Sequence, residues 1–289
     1  MKGIILAGGT ASRLKPASFV VSKQLMPVYD KPLVYYPLST LMSIGIRDIL
    51  IISTTNDLPS YKELFKNSHI WGIEISYAEQ KTPGGLAEAL LIGDSFIDNK
   101  PVVLILGDNL FHGVGLGKQL MESFKEPGAL ITAYHVDNPI AFGVVEFNQK
   151  GVVTSLEEKP LHPKSHWAVP GIYFYDETAI ERTRKITRSS RGELEITDLN
   201  KSYMHDKQLK VIALKNHVKW FDTGTPDSLL NAALYVQQNQ QEDGLLIGSP
   251  EVVAWEAGWI SDQTLSELAL AVNKSRYGFH LKEILSGTK

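Results

Sequence analysis

The sequence contains no cysteine, and this absence excludes several kinds of chemistry at once. None of the 289 residues can form a disulfide, act as a thiolate nucleophile or bind zinc through sulfur. The chain also lacks an apolar run of the roughly 20 residues that a helix needs to cross a bilayer. It opens with no charged-then-apolar targeting segment. We therefore expect a cytoplasmic protein that has no membrane partner.

Positive charge is not in excess either. Lysine and arginine number 29 against 32 aspartates and glutamates, which gives a formal net charge of -3. A protein that neutralises many phosphates of a nucleic acid needs the opposite balance, so no nucleic-acid partner is expected. Hydrophobic residues make up 43% and charged residues 21% of the chain, close to the averages of globular proteins. Any positive charge that serves function must therefore be local.

Two common nucleotide-binding fingerprints are missing as well. The chain contains neither G-x-G-x-x-G nor G-x-x-x-x-G-K-[ST], so a hydride-transferring Rossmann enzyme and a P-loop NTPase are both disfavoured. Among the eight histidines only His162 and His166 have H-x-x-x-H spacing, and they lack the glutamate of an H-E-x-x-H zinc motif. A nucleotide or other phosphate ligand would therefore have to be bound by a different kind of loop.

Such a site is indicated by residues 4–27. This segment leaves an apolar strand, passes through Gly8-Gly9, and then supplies Arg13 and Lys23 before the next apolar run. Backbone N–H groups at a glycine turn can approach an anion closely, and long cationic side chains can close over it. The order is typical of a site for a phosphate-rich ligand, with Lys15 interpreted as a bystander.

Apolar runs rich in Ile, Val and Leu alternate with longer amphipathic stretches, which predicts an α/β fold with a parallel sheet. The predicted strands are 3–7, 48–53, 73–79 and 102–106, and the predicted helices are 35–44, 60–66 and 86–96. Gly8-Gly9 follows the first strand and Gly107-Asp108-Asn109 follows the last. Because ligands bind outside the carboxyl ends of strands in such sheets, we expect these two loops to lie side by side.

From about residue 129 the pattern changes to shorter alternating strands that Gly, Pro and Asn interrupt. The strands are predicted at 130–136, 143–147, 152–158 and 171–175, and the helices at 177–185, 194–204 and 227–238. The polar run 237–243 is interpreted as a linker, and a tail follows with helices at 264–271 and 278–285. The added β region could hold a polar ligand.

Several segments, spread over almost the whole chain, carry a resemblance to a known family. They are LAGGTASRLKPAS (6–18), KQLMPVYDKPLVYYPLSTLMSIGIRDILIIST (23–54), Gln80 with PGGLA (83–87), LGDN (106–109), FGVVEF (142–147), EEKP (157–160), RGELEITDLN (191–200), FDTGTPDSLLNA (221–232) and WEAGWI (255–260). Together they resemble the nucleotidyltransferases that make nucleotide sugars, and within these the glucose-1-phosphate thymidylyltransferases.

The resemblance implies a Rossmann-like, three-layer α/β nucleotidyltransferase fold. It implies a mainly parallel central sheet, an added mixed β region that binds the sugar phosphate, and a small C-terminal helical tail. The core is expected over 1–240, with a nucleotide-binding part to about 128 and a sugar-phosphate-binding part over 129–240. The tail, 241–289, is expected to contribute to the interfaces of a homotetramer.

The implied reaction is magnesium-dependent. Glucose 1-phosphate attacks the α-phosphorus of dTTP, pyrophosphate leaves, and dTDP-glucose is formed for deoxysugar and cell-surface polysaccharide synthesis. The attacking phosphate has a second pKa of about 6 and is largely a dianion at neutral pH, so no general base is needed. The protein must hold two polyanions in line and neutralise their charge.

Four residues match the family positions that carry this chemistry. Arg13 and Lys23 correspond to the cations that grip the triphosphate. Asp108 and Asp222 correspond to the two carboxylates that hold Mg²⁺, an ion that usually takes only one or two protein carboxylates. The resemblance therefore predicts a catalytic centre of two cations and two aspartates.

The remaining matches concern the base and the sugar. Gln80 and the backbone around Gly85 are expected to read the base, because an amide can pair with a pyrimidine edge. The other positions of the nucleotide pocket are Leu6, Ala7, Gly8, Gly9, Pro83 and Asp108. The positions expected to meet the sugar phosphate are Gly143, Glu158, Lys159, Val169, Tyr173 and Arg191.

The chain also departs from the family pattern. Ala11 replaces a glycine, and we predict a negative φ there, because a left-handed conformation costs an ordinary residue roughly 1–2 kcal/mol. Gly84 replaces an acidic residue near the base site. Such departures put the exact substrate in question but leave the reaction class untouched. The alternatives are a uridylyltransferase or an enzyme for another sugar phosphate and, from a different class, a catalytically silent nucleotide-sugar sensor. WEAGWI is compatible with a subunit interface and equally with packing of the tail on the core.

Overall fold

The computed structural model describes residues 1–9, 11–125 and 127–287, so that Thr10 of the first motif and the last two residues of the predicted tail lie outside the described residues. The strands in chain order are β1 (Lys2–Leu6), β2 (Pro27–Val28), β3 (Lys31–Pro32), β4 (Asp48–Ser53), β5 (Glu74–Glu79), β6 (Val102–Leu106), β7 (Leu110–His112), β8 (Ala129–His135), β9 (Gly143–Phe147), β10 (Val153–Glu158), β11 (Trp167–Ala168), β12 (Ile172–Tyr175), β13 (Leu209–Ala213) and β14 (Lys219–Phe221). The helices are α1 (Tyr35–Ser43), α2 (Leu58–Leu64), α3 (Glu88–Ile92), α4 (Asp94–Ile97), α5 (Leu116–Ser123), α6 (Ala179–Lys185), α7 (Ile196–His205), α8 (Pro226–Asp243), α9 (Pro250–Glu256), α10 (Asp262–Ala271) and α11 (Arg276–Ser286).

Within these ranges, ten strands form one sheet in the order β10-β9-β11-β8-β12-β6-β1-β4-β5, with β13 paired to β8. The strands β6, β1, β4 and β5 run parallel. Strand β12 pairs antiparallel with β6 on one side and β8 on the other, and thereby joins the later strands to the parallel part. The predicted α/β class, with a parallel amino-terminal half and a mixed extension, is confirmed.

Three of the parallel strands, β1, β4 and β6, are largely buried on both faces, as their apolar runs predict. Successive side chains of a strand point to opposite faces. Ile5 therefore packs with Leu41 of α1 on one side of the sheet, whereas Ile4 packs with Leu90 of α3 on the other. Helices therefore cover both faces of these strands.

Helix α8 extends through the run 237–243, so the predicted linker is wrong. The helix begins at a capping box between Thr225 and Ser228 and ends at Gly244, which has a φ of 66°. Its polar last turns are helical because Gln240 is buried and hydrogen-bonded to Lys31 Nζ (3.1 Å). Composition alone could not show this tertiary contact.

The tail packs on the core. The Arg47 guanidinium lies 4.4 Å from the centre of the Trp259 ring, and Trp255 and Trp259 both join the larger core cluster. Helix α9, which the sequence did not predict, starts where Ser249 accepts a hydrogen bond from the Val252 N–H. The packing role of WEAGWI is thus observed. In the part of the chain that the structure describes, no helix is both long and apolar enough to cross a membrane.

Candidate active site

The glycine loop and the Asp108 loop lie next to each other, as expected from their positions after two strands. Strands β1 and β6 are parallel neighbours, and the Gly107 N–H donates to the Leu6 carbonyl (2.9 Å). A Cβ on Gly107 would lie 3.1 Å from the Ala7 Cβ. Both loops therefore open at the same edge of the sheet.

Ala11 adopts a left-handed conformation with a φ of 42° and a ψ of 39°, so the prediction of a negative φ is wrong. Its carbonyl accepts hydrogen bonds from Ser18 Oγ (2.9 Å) and from the Leu14 N–H (2.9 Å). These bonds fix the turn that precedes the short 3₁₀ helix Ser12–Leu14 and so offset the strain of the backbone. The same helix presents Arg13 to the cleft.

Lys23 connects three distant segments of the chain. Its side chain is buried, with only 6% of the residue exposed. Nζ donates to Asp108 Oδ2 (2.7 Å) and to the Asp222 carbonyl (3.2 Å). A buried ammonium requires such partners, since an unpaired buried charge is very costly. Lys23 thus lies between the two aspartates that were predicted to act together.

The Asp108 carboxylate is oriented by Asn109. Asn109 Nδ2 donates to Asp108 Oδ1 (2.9 Å), while Asn109 Oδ1 accepts from the Gly171 N–H (3.1 Å) and from Trp220 Nε1 (2.6 Å). The Thr223 hydroxyl also donates to the Asp108 carbonyl (2.7 Å). Because both the nitrogen and the oxygen of the Asn109 side chain are hydrogen-bonded, Asp108 is held in one orientation.

Asp222 lies near Asp108 because a two-stranded antiparallel ribbon joins their two segments. Strand β14 pairs antiparallel with β7, with Phe221 opposite Leu110, so the residues that flank the ribbon meet. At Gly224 a Cβ would lie 2.8 Å from Arg13 Nη2 and 2.9 Å from Asp222 Oδ2. The absence of a side chain at Gly224 therefore leaves room for Arg13 beside Asp222.

Three connected cavities form one cleft along this edge. The loop cavity, of about 210 Å³, is lined by Gly8, Gly9, Arg13, Lys23 and Asp108, among others. The central cavity, of about 190 Å³, includes Asp108, Asp222, Glu158, Tyr173 and Trp220. The edge cavity, of about 220 Å³, includes Gln80, Pro83, Gly85, Lys159 and Arg191. Shared residues join them: Asp108 borders the first two, and Glu158 borders the last two.

The central cavity combines a polar floor with an apolar wall. Glu158 Oε2 accepts a hydrogen bond from Thr197 Oγ1 (2.6 Å), which aims the carboxylate. Burial, with a further effect of nearby carboxylates, raises the pKa of Tyr173, so its hydroxyl keeps its proton. The rings of Phe142 and Trp220 pack edge to face, with their centres 5.1 Å apart. Such a surface suits a ligand with hydroxyl groups on one side and a ring face on the other.

Two further predicted residues close this region. The Val169 N–H donates to the Gly143 carbonyl (2.8 Å), and both residues line the central cavity. At Gly143 a Cβ would lie 3.6 Å from Glu158 Oε2. The backbone therefore approaches the Glu158 carboxylate closely.

Lys159 and Arg191 lie on the rim of the cleft, and each is close to a glutamate carboxylate. Lys159 Nζ is 3.4 Å from Glu158 Oε1, and Arg191 Nη2 is 2.9 Å from both carboxylate oxygens of Glu195. The two cationic side chains are 48% and 44% exposed. Because both cationic side chains are partly open to solvent, an arriving phosphate can reach them.

The edge cavity places Gln80 opposite the glycine loop. Gln80 is 8% exposed and its Oε1 lies 3.2 Å from the position of a Cβ on Gly8. Gly85 has a φ of 99°, and a Cβ there would lie 2.3 Å from the Leu194 carbonyl oxygen, so only glycine fits. The Leu194 N–H in turn donates to the Gly84 carbonyl (2.8 Å).

All the predicted site residues except one line this cleft. The exception is Ala7, which is fully buried and whose carbonyl accepts from Ser53 Oγ (2.8 Å). It supports the floor of the loop but does not reach the cleft. Sequence reasoning missed Asn109, Thr197 and Glu88 as supporting residues. Asn109 and Thr197 stand inside motifs quoted for the resemblance, but nothing marked Glu88.

The carboxylates of the cleft fit a divalent cation bound by few protein ligands. Among the described residues, no group of three or more His, Asp or Glu side chains could hold a metal. Asp108 and Asp222 nevertheless line one cavity, and Lys23 contacts the Asp108 carboxylate and the Asp222 backbone carbonyl. Mg²⁺ completes its shell with water and substrate phosphates when one or two carboxylates hold it.

The sequence match to the nucleotidyl transferase family spans residues 2–239. The chain belongs to this family. The expected family is thereby confirmed, and the cleft described above lies within the matched residues.

Similar proteins show how far the likeness of this nucleotidyl transferase chain extends. A glucose-1-phosphate thymidylyltransferase of Mycolicibacterium smegmatis is 52% identical over 285 residues, which cover 99% of both chains. A Bacillus anthracis structure, described as a glucose-1-phosphate thymidylyltransferase in complex with a sucrose, has a TM-score of 0.75 and 36% identity and covers 81% of this chain and 94% of that one. A UDP-glucose pyrophosphorylase complexed with UDP-glucose has a TM-score of 0.72 at 24% identity, over 82% of this chain and 98% of that one. This last likeness concerns the fold alone.

Proposed function

We propose that the protein transfers a thymidylyl group from dTTP to α-D-glucose 1-phosphate and releases pyrophosphate. The full-length similarity to the thymidylyltransferase of M. smegmatis supports this reaction. The observation that carries the proposal is the buried contact of Lys23 with Asp108 Oδ2 (2.7 Å) and the Asp222 carbonyl (3.2 Å). Through this contact, charged residues from three distant segments of the chain come together in a cleft that could hold two substrates.

The reaction is a direct displacement. An oxygen of the sugar phosphate forms a bond to the α-phosphorus of dTTP, the bond from this phosphorus to the bridging oxygen breaks, and the electron pair leaves with pyrophosphate. Arg13 and Lys23 border the loop cavity and would hold the triphosphate. Lys159 and Arg191 border the edge cavity and would receive the phosphate of glucose 1-phosphate. The protein thereby reduces the repulsion between two polyanions.

Asp108 and Asp222 would hold Mg²⁺. Bound there, the ion would supply positive charge to the phosphate oxygens as charge develops on the leaving group. Asn109 keeps the Asp108 carboxylate oriented (2.9 Å), and the Gly224 N–H donates to Asp222 Oδ1 (3.3 Å). These contacts preorganise the two carboxylates before substrates arrive.

Substrate selection is proposed in two parts of the cleft. Gln80, with Pro83 and Gly85, would bind the base in the edge cavity, bordered by Leu6 and the glycine loop. Glu158 and Tyr173 would bind glucose in the central cavity. A carboxylate accepts hydrogen bonds from sugar hydroxyls, and the protonated Tyr173 hydroxyl can donate one.

We further propose that residues 1–128 supply most of the nucleotide site and 129–240 most of the sugar-phosphate site. The tail, 241–289, would contribute to a homotetramer in the cytoplasm. Sedimentation of the full chain tests the tetramer, since a monomer at micromolar concentration would contradict it.

Purified protein supplied with dTTP, glucose 1-phosphate and Mg²⁺ should release pyrophosphate and form a nucleotide sugar with the mass of dTDP-glucose. Competition of UTP against dTTP, and of other hexose 1-phosphates against glucose 1-phosphate, measures selectivity. Preference for UTP or for another sugar phosphate would favour the alternative substrates. Binding without turnover for every pair would favour the sensor and defeat the proposal.

A further inference from the structure

Glu88 lies behind Gln80 and contacts it through one carboxylate oxygen. Gln80 Nε2 donates to Glu88 Oε2 (2.9 Å), and Arg188 Nη2 donates to Glu88 Oε1 (2.9 Å). The Glu88 side chain is 19% exposed, so the contact is shielded from most of the solvent. Arg188 also donates to the carbonyls of Gly84 (3.2 Å) and Gly192 (2.8 Å), which holds its guanidinium in place.

This contact fixes which end of the Gln80 amide faces the cleft. A carboxylate paired with arginine only accepts hydrogen bonds, so Gln80 must present its NH₂ group to Glu88. Its carbonyl oxygen then points the other way, and Oε1 indeed lies by Gly8, 3.2 Å from the position of a Cβ on that residue. Without such a partner, an amide can turn by half a rotation and exchange its donor and acceptor.

We propose that Glu88, held by Arg188, is a positioning residue that selects the nucleobase through Gln80. By presenting the Gln80 carbonyl oxygen to the base, it favours thymine or uracil, whose N3 carries a hydrogen, over cytosine, whose N3 accepts. The proposal rests on the proposed function in one respect, that the edge cavity holds the base. It assigns selection to a residue that touches neither substrate.

Gly84 provides the space that Glu88 occupies. A Cβ on Gly84 would lie 2.0 Å from Glu88 Oε2 and 2.1 Å from Oε1. The φ of Gly84 is not in the left-handed region, so space and not backbone conformation requires glycine here. Gly84→Ala should therefore push the Glu88 carboxylate away from Gln80 without altering either residue.

The test compares kcat and KM for dTTP and dCTP in the wild type, Glu88→Gln, Gly84→Ala and Glu181→Gln. A neutral amide at 88 can accept or donate, so it holds Gln80 in either orientation. For Glu88→Gln and Gly84→Ala we expect the dTTP to dCTP ratio of kcat/KM to fall about tenfold, which corresponds to one hydrogen bond. The change should come mainly from KM. Glu181, exposed and paired with Lys185 (2.6 Å), provides the matched control, whose ratio should not change.

Equilibrium binding gives the corresponding ratio of the dissociation constants for dTTP and dCTP. Because binding needs no turnover, this measurement separates the role of Glu88 from the proposed reaction. Absence of turnover in the wild type with every nucleotide would defeat the proposed function, while the binding ratio would still test Glu88. If Glu88→Gln and Gly84→Ala are folded and both keep the wild-type ratio, the role of Glu88 is wrong. If Glu88→Gln does not fold, Gly84→Ala decides by the same criterion.

Discussion

Lys23 is the residue on which the charge of the cleft depends. It is buried and bonded to Asp108 and to the Asp222 carbonyl, so three segments far apart in sequence share one cation. The positions of these residues after strands and turns could be predicted from the sequence. Their mutual contact could not, because a buried ion pair is decided by the packing of the whole sheet. The proposed metal site and the triphosphate site therefore meet at one side chain.

Asp108→Asn and Asp222→Asn should each lower kcat by about 100-fold or more, because each removes a charge proposed to hold Mg²⁺ at the reacting phosphates. Thermal unfolding should change little in Asp222→Asn, whereas Asp108→Asn should also lower stability because it removes the carboxylate partner of the buried Lys23 ammonium. Steady-state rates at saturating Mg²⁺ provide the measurement. Asp48→Asn, which removes an exposed partner of Lys2 (3.0 Å), provides the control. Near-normal turnover in either site variant would contradict its assigned role.

Arg13→Ala should lower kcat/KM for dTTP by about 100-fold, since charge-assisted contacts to phosphate are strong and here act on the reacting group. Lys15→Ala provides a matched control in the same loop, because Lys15 lies over the Phe19 ring (5.4 Å) and does not line the loop cavity. It should change kcat/KM by less than about twofold. Equal losses in the two variants would refute the distinction between these cations.

Ala11→Gly should stabilise the protein. Ala11 has a φ of 42°, a conformation that costs an ordinary residue roughly 1–2 kcal/mol, while glycine adds about 0.4–1 kcal/mol of unfolded-state entropy. The net gain in the free energy of unfolding should be about 0.5–1 kcal/mol, measured by urea denaturation. Ala17→Gly, nearby but without a positive φ, should instead destabilise. A loss of stability in Ala11→Gly would show that the backbone there is unstrained.

At the scale of elements, α8 links the active site to the tail. It starts just after the Asp222 turn, and its Gln240 contacts Lys31 in the β2–β3 hairpin. This hairpin follows a short 3₁₀ helix, Lys23–Leu25, which carries Lys23. Periodicity predicted β4 and β6 at their observed bounds, because these strands consist mainly of buried apolar residues. It failed at 237–243, where a buried contact of one glutamine, and not composition, extends the helix. Element identity was thus predictable where hydrophobic pattern decides it.

Helix α9 contributes a buried acid whose ionisation should make stability depend on pH. Burial raises the pKa of Glu251 above its ordinary 4.5, against the opposing effects of Tyr277, Ser249 and the nearby Lys31. The Tyr277 hydroxyl donates to the Glu251 carboxylate. Since the folded state binds this proton more tightly, stability is greatest below pH 4.5 for this group and falls as the pH rises through the raised pKa.

Glu251→Gln should remove that part of the decline. Urea unfolding between about pH 4.5 and pH 8 should give a flatter profile than the wild type, by about 1.4 kcal/mol for each unit of the pKa shift. Glu63→Gln, at a side chain that is 73% exposed, controls for the loss of one negative charge. Parallel profiles for wild type and Glu251→Gln would show that Glu251 does not titrate with a raised pKa.

At the scale of the whole molecule, the sheet topology brings the separate motifs together. Strand β12 joins the parallel half to the mixed half, so the loops after β1, β5 and β6 face residues 143–173 and 191–197 across one cleft. The resemblance predicted site residues that, with the exception of Ala7, all line this cleft, and they make up about half of its lining. It did not predict the left-handed Ala11, the burial of Ala7 or the Glu88 contact, which depend on the exact neighbours in space.

The structure of the protein with bound dTDP-glucose tests the central claim most directly, namely that this one cleft holds both substrates. We expect the base against Gln80 and Gly85, the diphosphate between the glycine loop and the rim cations, and the glucose against Glu158 and Tyr173. A ligand bound outside the cleft, or in the reverse direction with the sugar against Gln80, would contradict the proposed function.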